Sequence, residues 1–579
     1  MIYMQDGSYK IDGITVVKVL NDGAEVDCIA RLVSIETLCS IGRISTAVVT
    51  FQDHSQEFEV AESESFAEGS SLEVRIGRDD DQPECIFKGT VTNRALNLSK
   101  DGAMFVVTAR HDAYKMTLER HFRCFEEISD ADAISQVCGE YGLDVQTDST
   151  PVSHEKLLQY NCTDWDFVNM RAEASGLLLC TVPDGIRAMK PDPGAEPALT
   201  VTNGLSLIRF QMETNGKDRF AKIATEAWNY SSQEADSAEA DTGADDYKLG
   251  TVDNPSMASK VGNDTLKIHL MSGQTAPDAM EMVGKAQAMR NDLSRMTGKM
   301  TAVGYASVFP LDNVALEEVS KPFGGTALVS SVLQEYSTSG WETTFGLGLG
   351  PEPFHERFSN IDSPASDGIL PAAQGLQIAV VDALAGDPQS EERIRIKLIG
   401  TEDASIWARV AQPDAGDGRG FEFMPEIGDE VVVGFLGGNP SEGVVLGMLH
   451  SNGKTSPIEK NDDNNIKGIV SREGLKLEFD DEGKTVTIET PGGNSVKVSD
   501  DSKGIILEDQ NGNKVTLDQN GISLESAKDI SIKAQGDVNV EGVNVNLKAN
   551  AQLVAKGSAS SEISSGGNTV VKGAVVQIN

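Results

Sequence analysis

The sequence predicts a mainly β chain of several domains, with a minor α+β part and a narrow β rod at its end. Three observations predict it. The last hundred residues, 480–579, contain no Phe, Trp, Tyr, His, Met or Cys and a single proline, Pro491, yet carry aliphatic residues in every-other-position pairs. Short alternating runs bounded by Gly and Asp turns fill most of the rest, and only a few stretches have helical periodicity. Five such runs crowd into the block 376–449, the pattern of a small barrel of the oligonucleotide/oligosaccharide-binding (OB) type. A chain of 579 residues has room for three to five domains on the order of 100–200 residues each.

Residues 1 to about 120 read as strands, among them Val48–Phe51, Leu72–Ile76 and Met104–Ala109. The period turns helical at Ser129, which can cap Asp130-Ala131-Asp132. Ile134, Val137 and Cys138 share a face, and Gly142 ends the helix. A second helix is predicted from Asp164 to Gly176, and Pro183–Pro197 reads as a Pro/Gly loop. Strands resume at Ala198–Val201 and Ile223–Trp228, followed by an acidic Ser/Ala/Asp/Glu run, 231–246, that reads as an exposed mobile loop. Pro277 opens a third helix whose stripe of Met282, Ala286, Met289, Leu293 and Met296 reads as core packing. Strands fill Thr301–Leu349, and Pro351–Pro371, with four prolines, reads as a linker.

The barrel strands are placed at Gln377–Val381, Arg393–Leu398, Trp407–Val410, Glu430–Phe435 and Val444–Gly447. The block has no basic, aromatic-studded face, which points to a structural role. In the rod, the pairs Val486/Ile488, Val496/Val498, Val515/Leu517, Ile522/Leu524, Ile530/Ile532, Val538/Val540 and Val543/Val545 predict strands with one buried face. Small aliphatic residues can enclose only a thin core, so the rod suggests mechanical work more than catalysis.

Composition narrows the functions. Net charge is −40, with 89 acidic and 49 basic residues, which argues against nucleic-acid or anionic-membrane binding and fits solubility and mutual repulsion. Residues Met1–Lys10 lack the apolar core of a signal peptide, and no stretch approaches the roughly 20 apolar residues of a membrane helix. Synthesis in a bacterial cytoplasm is expected. The seven cysteines (28, 39, 85, 124, 138, 162 and 180) are odd in number and form no CxxC pair, so they read as free thiols. No P-loop, dinucleotide fingerprint, Ser/His/Asp signature or HExxH motif is present. His111 and His121 read as core or surface residues. No catalytic residue, cofactor site or metal site is predicted.

In the barrel, Trp407-Ala408-Arg409-Val410 and the run from Gly420 to Leu449 resemble the VgrG-type central spike family of contractile phage tails and injection machines. The features that carry it are Trp407, Phe423-Met424-Pro425-Glu426, Gly428-Asp429-Glu430-Val431, Phe435, Gly438-Asn439-Pro440 and Val445-Leu446-Gly447. The family usually has Gly-Asp-Pro where this chain has Gly438-Asn439-Pro440, and Asn supports the same turn. The segment Gln159–Gly176, with Tyr160, Asp164, Phe167, Arg171 and Glu173, resembles the family's hub, as does Lys321–Gly350.

The resemblance implies a homotrimer. It places a hub at 1–360 (two β-barrels with a helical insertion near 120–195), a linker at 361–371, an OB-fold domain at 372–450, a connector at 451–466 and an intertwined triple-stranded β-prism at 467–579. The shaft core would be Val486, Ile488, Val496, Val498, Val515, Leu517, Ile522, Leu524, Ile530, Ile532, Val538 and Val540. Implied partners are the inner tube and baseplate proteins at the hub, a small conical PAAR-repeat tip protein at Val575, Val576, Gln577, Ile578 and Asn579, and effector cargo. The target membrane is met only transiently. Type VI secretion and an extracellular phage-like particle both fit.

Some members of that family carry a lysozyme domain after the barrel, for which His450–Asn465 is too short. The last histidine is His450, which argues against a tip metal held by terminal histidines. The competing expectations are a carbohydrate-binding tailspike or adhesin, which needs aromatic platforms along the shaft, and a cell-wall-degrading spike enzyme.

Overall fold

The computed structural model describes residues 13–54, 58–78, 82–100, 102–245, 247–271, 273, 275–400 and 405–578. Met1–Lys10, Asp246 and Asn579 therefore lie outside the described residues. The fold is mainly β and falls into two compact units, one within Met1–Gln374 with Phe435–Pro440, the other Gly375–Gly434 with Ser441–Asn579.

In the first unit thirteen strands join one sheet. Two groups of strands meet where Leu32–Ser40 pairs antiparallel with Gly325–Ser337, Val332 opposite Cys39 and Tyr336 opposite Ile35. The ladder is continuous, but its core is double. One cluster gathers Ile35, Val49, Phe51, Phe66, Leu72, Val74 and Phe105. The other gathers Met300, Val314, Leu328, Val329, Phe345 and Leu347. The predicted strands lie inside longer ones: Arg43–Asp53, Ser71–Arg78 and Gly102–Arg110. Each shows the alternating burial that its sequence implies.

The insertion has its own core of Ile134, Val137, Phe167, Val168 and Leu179. Helix α1 (Asp130–Gly139) starts as expected, with Ser129 Oγ accepting from the Asp132 N–H at 3.1 Å. Helix α2 (Asp164–Ala174) is capped by Thr163, whose Oγ1 accepts from the Asp166 N–H at 3.1 Å. The expected loop Pro183–Pro197 contains a strand, Gly185–Met189, because Ile186 and Ala188 alternate into that core against Leu178–Val182.

Two further expectations are corrected. The acidic run is not a free loop over Glu234–Asp241, which forms a strand antiparallel to Lys222–Asn229. Asp236, Ala238 and Ala240 point inward while Glu234, Ser237, Glu239 and Asp241 stay exposed, so a period of two is hidden in small residues. The proline-rich stretch is not a loose linker at its start. Phe354 and Ile361 are buried, and Arg120 donates to the carbonyls of Asn161, Asn360, Ile361 and Asp362 at 2.6–3.1 Å. Between these elements lie helix α3 (Asn254–Val261) and helix α4 (Pro277–Leu293). Met282, Ala286, Met289 and Leu293 of α4 are buried as predicted, whereas Met296 begins the next strand.

The second unit opens with a closed five-stranded barrel of Gln377–Ala383, Ile394–Leu398, Ser405–Val410, Glu430–Phe435 and Gly443–Met448. Its core is Ala379, Val381, Ile394, Ile396, Ala408, Val431, Val433 and Val445. A seven-stranded antiparallel meander follows: Ile466–Val470, Lys476–Asp480, Thr485–Glu489, Ser495–Ser499, Gly504–Glu508, Lys514–Asp518 and Gly521–Glu525. All seven cysteines are free thiols. Among the described residues no helix is long and apolar enough to cross a membrane, and no group of His, Cys, Asp or Glu could hold a metal ion.

Candidate interaction surface

The meander builds its surface from turns upward. Along one edge Thr490–Asn494 and Asp509–Asn513 form matching five-residue turns, closed by bonds from the Thr490 N–H to the Asn494 carbonyl and the Asp509 N–H to the Asn513 carbonyl, both 3.0 Å. Gly493 and Gly512 hold φ of +90° and +84°, which glycine adopts without strain. The Asp509 carboxylate accepts the N–H groups of Asn511 and Asn513 at 2.8 and 2.9 Å and the Asn513 side-chain amide at 2.7 Å. Bonds from Asn513 lead the causes that hold this carboxyl down at about 2. Fixed turns fix register.

That register sorts the side chains. Each five-residue strand offers its second and fourth positions to one face, and the pairing aligns them in two rows across the sheet. One row runs Ile469, Leu477, Ile488, Val496, Leu507, Val515, Leu524. The other runs Phe479, Val486, Val498, Ile505, Leu517, Ile522. Lys497, Thr516, Ser523 and Glu478 belong to the opposite face, where Ile466, Val470 and Ile506 are the apolar exceptions. No residue of either row is buried. Ile488 is 52% exposed and Ile522 74%. Ile488, Val496, Leu507, Val515 and Leu524 of the first row floor an open trough of about 550 Å³.

Beyond Ser526 every described residue is exposed, and none belongs to a helix or strand. Ile530, Ile532, Val538, Val540, Val543 and Val545 stand without a ladder because the single chain supplies no neighbouring strand. The same holds for Val575, 84% exposed, Val576 and Ile578, with Gln577 beside them. So large a contiguous apolar area marks an interaction surface.

The structure thus brings eight of the expected aliphatic residues, Val486 to Leu524, onto one face. Sequence reading missed their partners Ile469, Leu477 and Phe479, and also Ile505 and Leu507. Alternation at Leu475, Leu477 and Phe479 was the available signal. At 504–508 the run Ile505-Ile506-Leu507 masks it.

Of the expected barrel residues, Trp407, Pro425, Gly428 and Asp429 lie in the second unit, and Phe435, Gly438 and Pro440 lie in the segment grouped with the first. Pro425 is buried, and Gly428, at φ +89°, donates its N–H to the Val381 carbonyl at 2.8 Å. Asp429 accepts from the Glu426 N–H at 2.9 Å and from Lys454 Nζ at 2.8 Å. The Arg395 guanidinium lies 5.9 Å from the Trp407 ring centre. Phe435 and Pro440 are half-buried, and Gly438 holds φ +77°. Between the strands, Phe421 and Phe423 are each 49% exposed, with the acidic Glu422 between them.

Residues 12–338, more than half of the chain, match the family described as Alg8 N-terminal domain. Residues 377–450 match the type VI secretion system/phage-baseplate injector OB domain, and 485–579 the phage baseplate V C-terminal trimerisation domain. Among curated proteins the chain is 27% identical over 202 residues to type VI secretion system spike protein VgrG1b of Pseudomonas aeruginosa, 32% of this chain and 26% of that protein. It is likewise 27% identical over 192 residues to spike protein VgrG1a of the same organism, 31% of this chain and 29% of that protein. The matched region spans about a quarter of the length of these relatives.

Among solved structures, the 43 kDa tail protein of prophage MuSo2 from Shewanella oneidensis aligns at 12% identity and a TM-score of 0.46, covering 58% of this chain and 99% of that one. An E. coli component of the type VI secretion system, described as similar to T4 bacteriophage tail proteins, aligns at 13% identity and a TM-score of 0.38, covering 75% and 100%.

Proposed function

The chain belongs to the Alg8 N-terminal domain family and is a VgrG-type spike protein, and from that premise we propose that three copies form the central spike of a contractile injection machine. The observation that carries this is the pair of open aliphatic rows on one face of the tail meander. The five inner strands of this sheet are paired on both sides, yet its apolar face needs a cover. Three copies around one axis cover one another. At about 25 cal/mol per Å² of apolar surface, some dozen aliphatic side chains contribute on the order of 10 kcal/mol per chain before association costs. The match of residues 485–579 to a trimerisation domain supports the same assembly.

In this reading the hub (1–360) sits on the inner tube and baseplate proteins, the segment 361–371 joins it to the barrel (372–450) as collar, and 467–579 form the shaft. Past Ser526 the three chains supply one another's missing strands. The exposed Val575, Val576 and Ile578 dock a PAAR-like tip protein, and the assembly pierces the target envelope, with or without effector cargo. The protein acts without catalysis. It is made in the bacterial cytoplasm and leaves it with the particle.

Light scattering on the purified full chain tests the assembly. Three times the 61.8 kDa chain mass is expected, and a stable single-chain mass overturns the trimer. Turnover of peptidoglycan by the same sample would restore the enzyme reading.

A further inference from the structure

In a chain of net charge −40, one cavity of the first unit is lined by arginine. It is open, about 720 Å³ in volume, and carries Arg43, Arg110 and Arg120 over an apolar floor of Trp165, Phe354 and Phe358. Arg120 spends its donors on four carbonyls and is fixed. Arg43 and Arg110 are exposed and form no ion pair with any described residue. Elsewhere arginines of this unit are held by carboxylates, as Arg123 by Asp164 and Glu140, Arg171 by Asp130 and Arg187 by Asp312.

The guanidinium of Arg43 rests 5.8 Å from the Phe358 ring centre, which holds it over the floor. Beside it Gly42, at φ +70°, leaves room for Arg357, whose guanidinium nitrogen a Cβ there would meet at 3.1 Å. The one carboxylate on the wall, Asp166, accepts from Thr163 Oγ1 at 2.6 Å and so faces its own helix cap.

We propose that this cavity binds a short acidic peptide segment of another protein, its carboxylates taken by Arg43 and Arg110 and an apolar neighbour seated on Leu118 and Phe358. Paired guanidiniums over an apolar floor suit carboxylates bidentately, and the volume suits a few residues rather than a folded face. The chain's own acidic run is not available as a free peptide. Glu234–Asp241 is paired into a sheet, with Glu239 on Lys222 and Asp236 accepting from Asn229. The segment is assigned to a different protein. The inference is independent of trimerisation.

Fluorescence anisotropy on the full chain tests it, with a labelled hexapeptide of alternating Glu and Leu as probe and its Gln-for-Glu version as control. Saturable binding of the acidic probe alone is expected. Arg43→Glu and Arg110→Glu should each weaken it by about tenfold or more, given the strength of charge-assisted bonds. Arg409→Glu, exposed on the barrel, should leave it unchanged. Should a reversed charge unfold the unit, Arg43→Gln and Arg110→Gln carry the same prediction. No saturation up to about 1 mM, equal binding of the Gln peptide, or equal loss in the Arg409 variant would overturn the proposal. So would protection of Arg43 and Arg110 from phenylglyoxal by the purified chain alone that vanishes on dilution, since a second copy would then be the occupant.

Discussion

Val498 and Ile505 stand directly opposite each other in the tail ladder, yet 45% and 37% of their surfaces remain open. Their backbones are paired on both sides, with Val498 also facing Val486 and Ile505 also facing Leu517. What they lack lies over the face of the sheet. Placing lysine at both positions leaves each strand its hydrogen bonds and puts two charges into the proposed shared core. The double variant Val498→Lys, Ile505→Lys is expected to keep its far-ultraviolet strand signal and to fall to the single-chain mass of 61.8 kDa. Light scattering reads the result; a persistent trimer would show that these rows are not its core.

Gly304 is expected to tolerate no side chain. A Cβ there would stand 1.9 Å from Trp341 Cδ2, and Trp341 cannot retreat. It is buried, and its indole N–H donates to Gln334 Oε1 at 2.8 Å, an oxygen that also accepts from Thr343 Oγ1 at 2.6 Å. Gly304→Ala should lower stability by about 2–3 kcal/mol or more through overpacking. Denaturant titration followed by tryptophan fluorescence would register it as a lower midpoint.

His111 gives the first unit a pH dependence. Burial pushes its imidazole down to about 4 from the ordinary 6.5, against the pull of the neighbouring Asp112. The unfolded ring takes a proton near pH 6.5 and the folded one only near 4. Stability should therefore be complete above 6.5, decline as pH falls from 6.5 to 4, and level off below, by about 3 kcal/mol at most. His111→Asn can still accept from the Ala113 N–H, as the imidazole Nδ1 does at 3.2 Å, and should flatten that decline in thermal melts.

Asp164 titrates in a separate window. Its carboxylate is desolvated, which works upward, but bonds from Gln159, Tyr141 and Arg123 outweigh this and hold it below the ordinary 3.8. Its contribution is present above 3.8 and is lost only as pH falls further. Asp164→Asn leaves Arg123 with Glu140 alone and weakens the bonds from Gln159, Tyr141 and Arg123, so it should lower stability at pH 7 by about 1–3 kcal/mol. A melt of this variant with an unchanged midpoint would argue against the network.

Arg120 should control the segment it clamps. In Arg120→Gln the four carbonyl bonds shrink to one or two, so cleavage by a nonspecific protease within 358–371 should rise several-fold, in line with a loss of roughly 1 kcal/mol per bond. Peptide mapping after brief digestion would show it.

Much of the fold was legible because burial leaves a period in the sequence. The five barrel strands lie within a residue or two of their expected places, since Ala379/Val381, Ile394/Ile396 and Val431/Val433 alternate cleanly. The caps Ser129 and Pro277 marked helix starts for the same local reason. The misses have a common cause. In Glu234–Asp241 the inward residues are two alanines and an aspartate, too small and polar to register as a buried face. In 351–371 the prolines speak for an extended backbone but cannot say what Arg120 reaches across 240 positions to hold. The open arginines of the cavity carry no motif, being brought together from the starts and ends of separate strands.

By itself the sequence determined that the tail is aliphatic, alternating and free of aromatics after Phe479, hence a set of short strands with one face to cover. Side-chain alternation is a local consequence of backbone geometry and needs no partner to be read. Only the tertiary structure decided that these pairs align into two uninterrupted rows, and that the rows stay open in a single chain. Register depends on turns at Gly493 and Gly512, and exposure depends on which atoms come near. Both are properties of the folded chain.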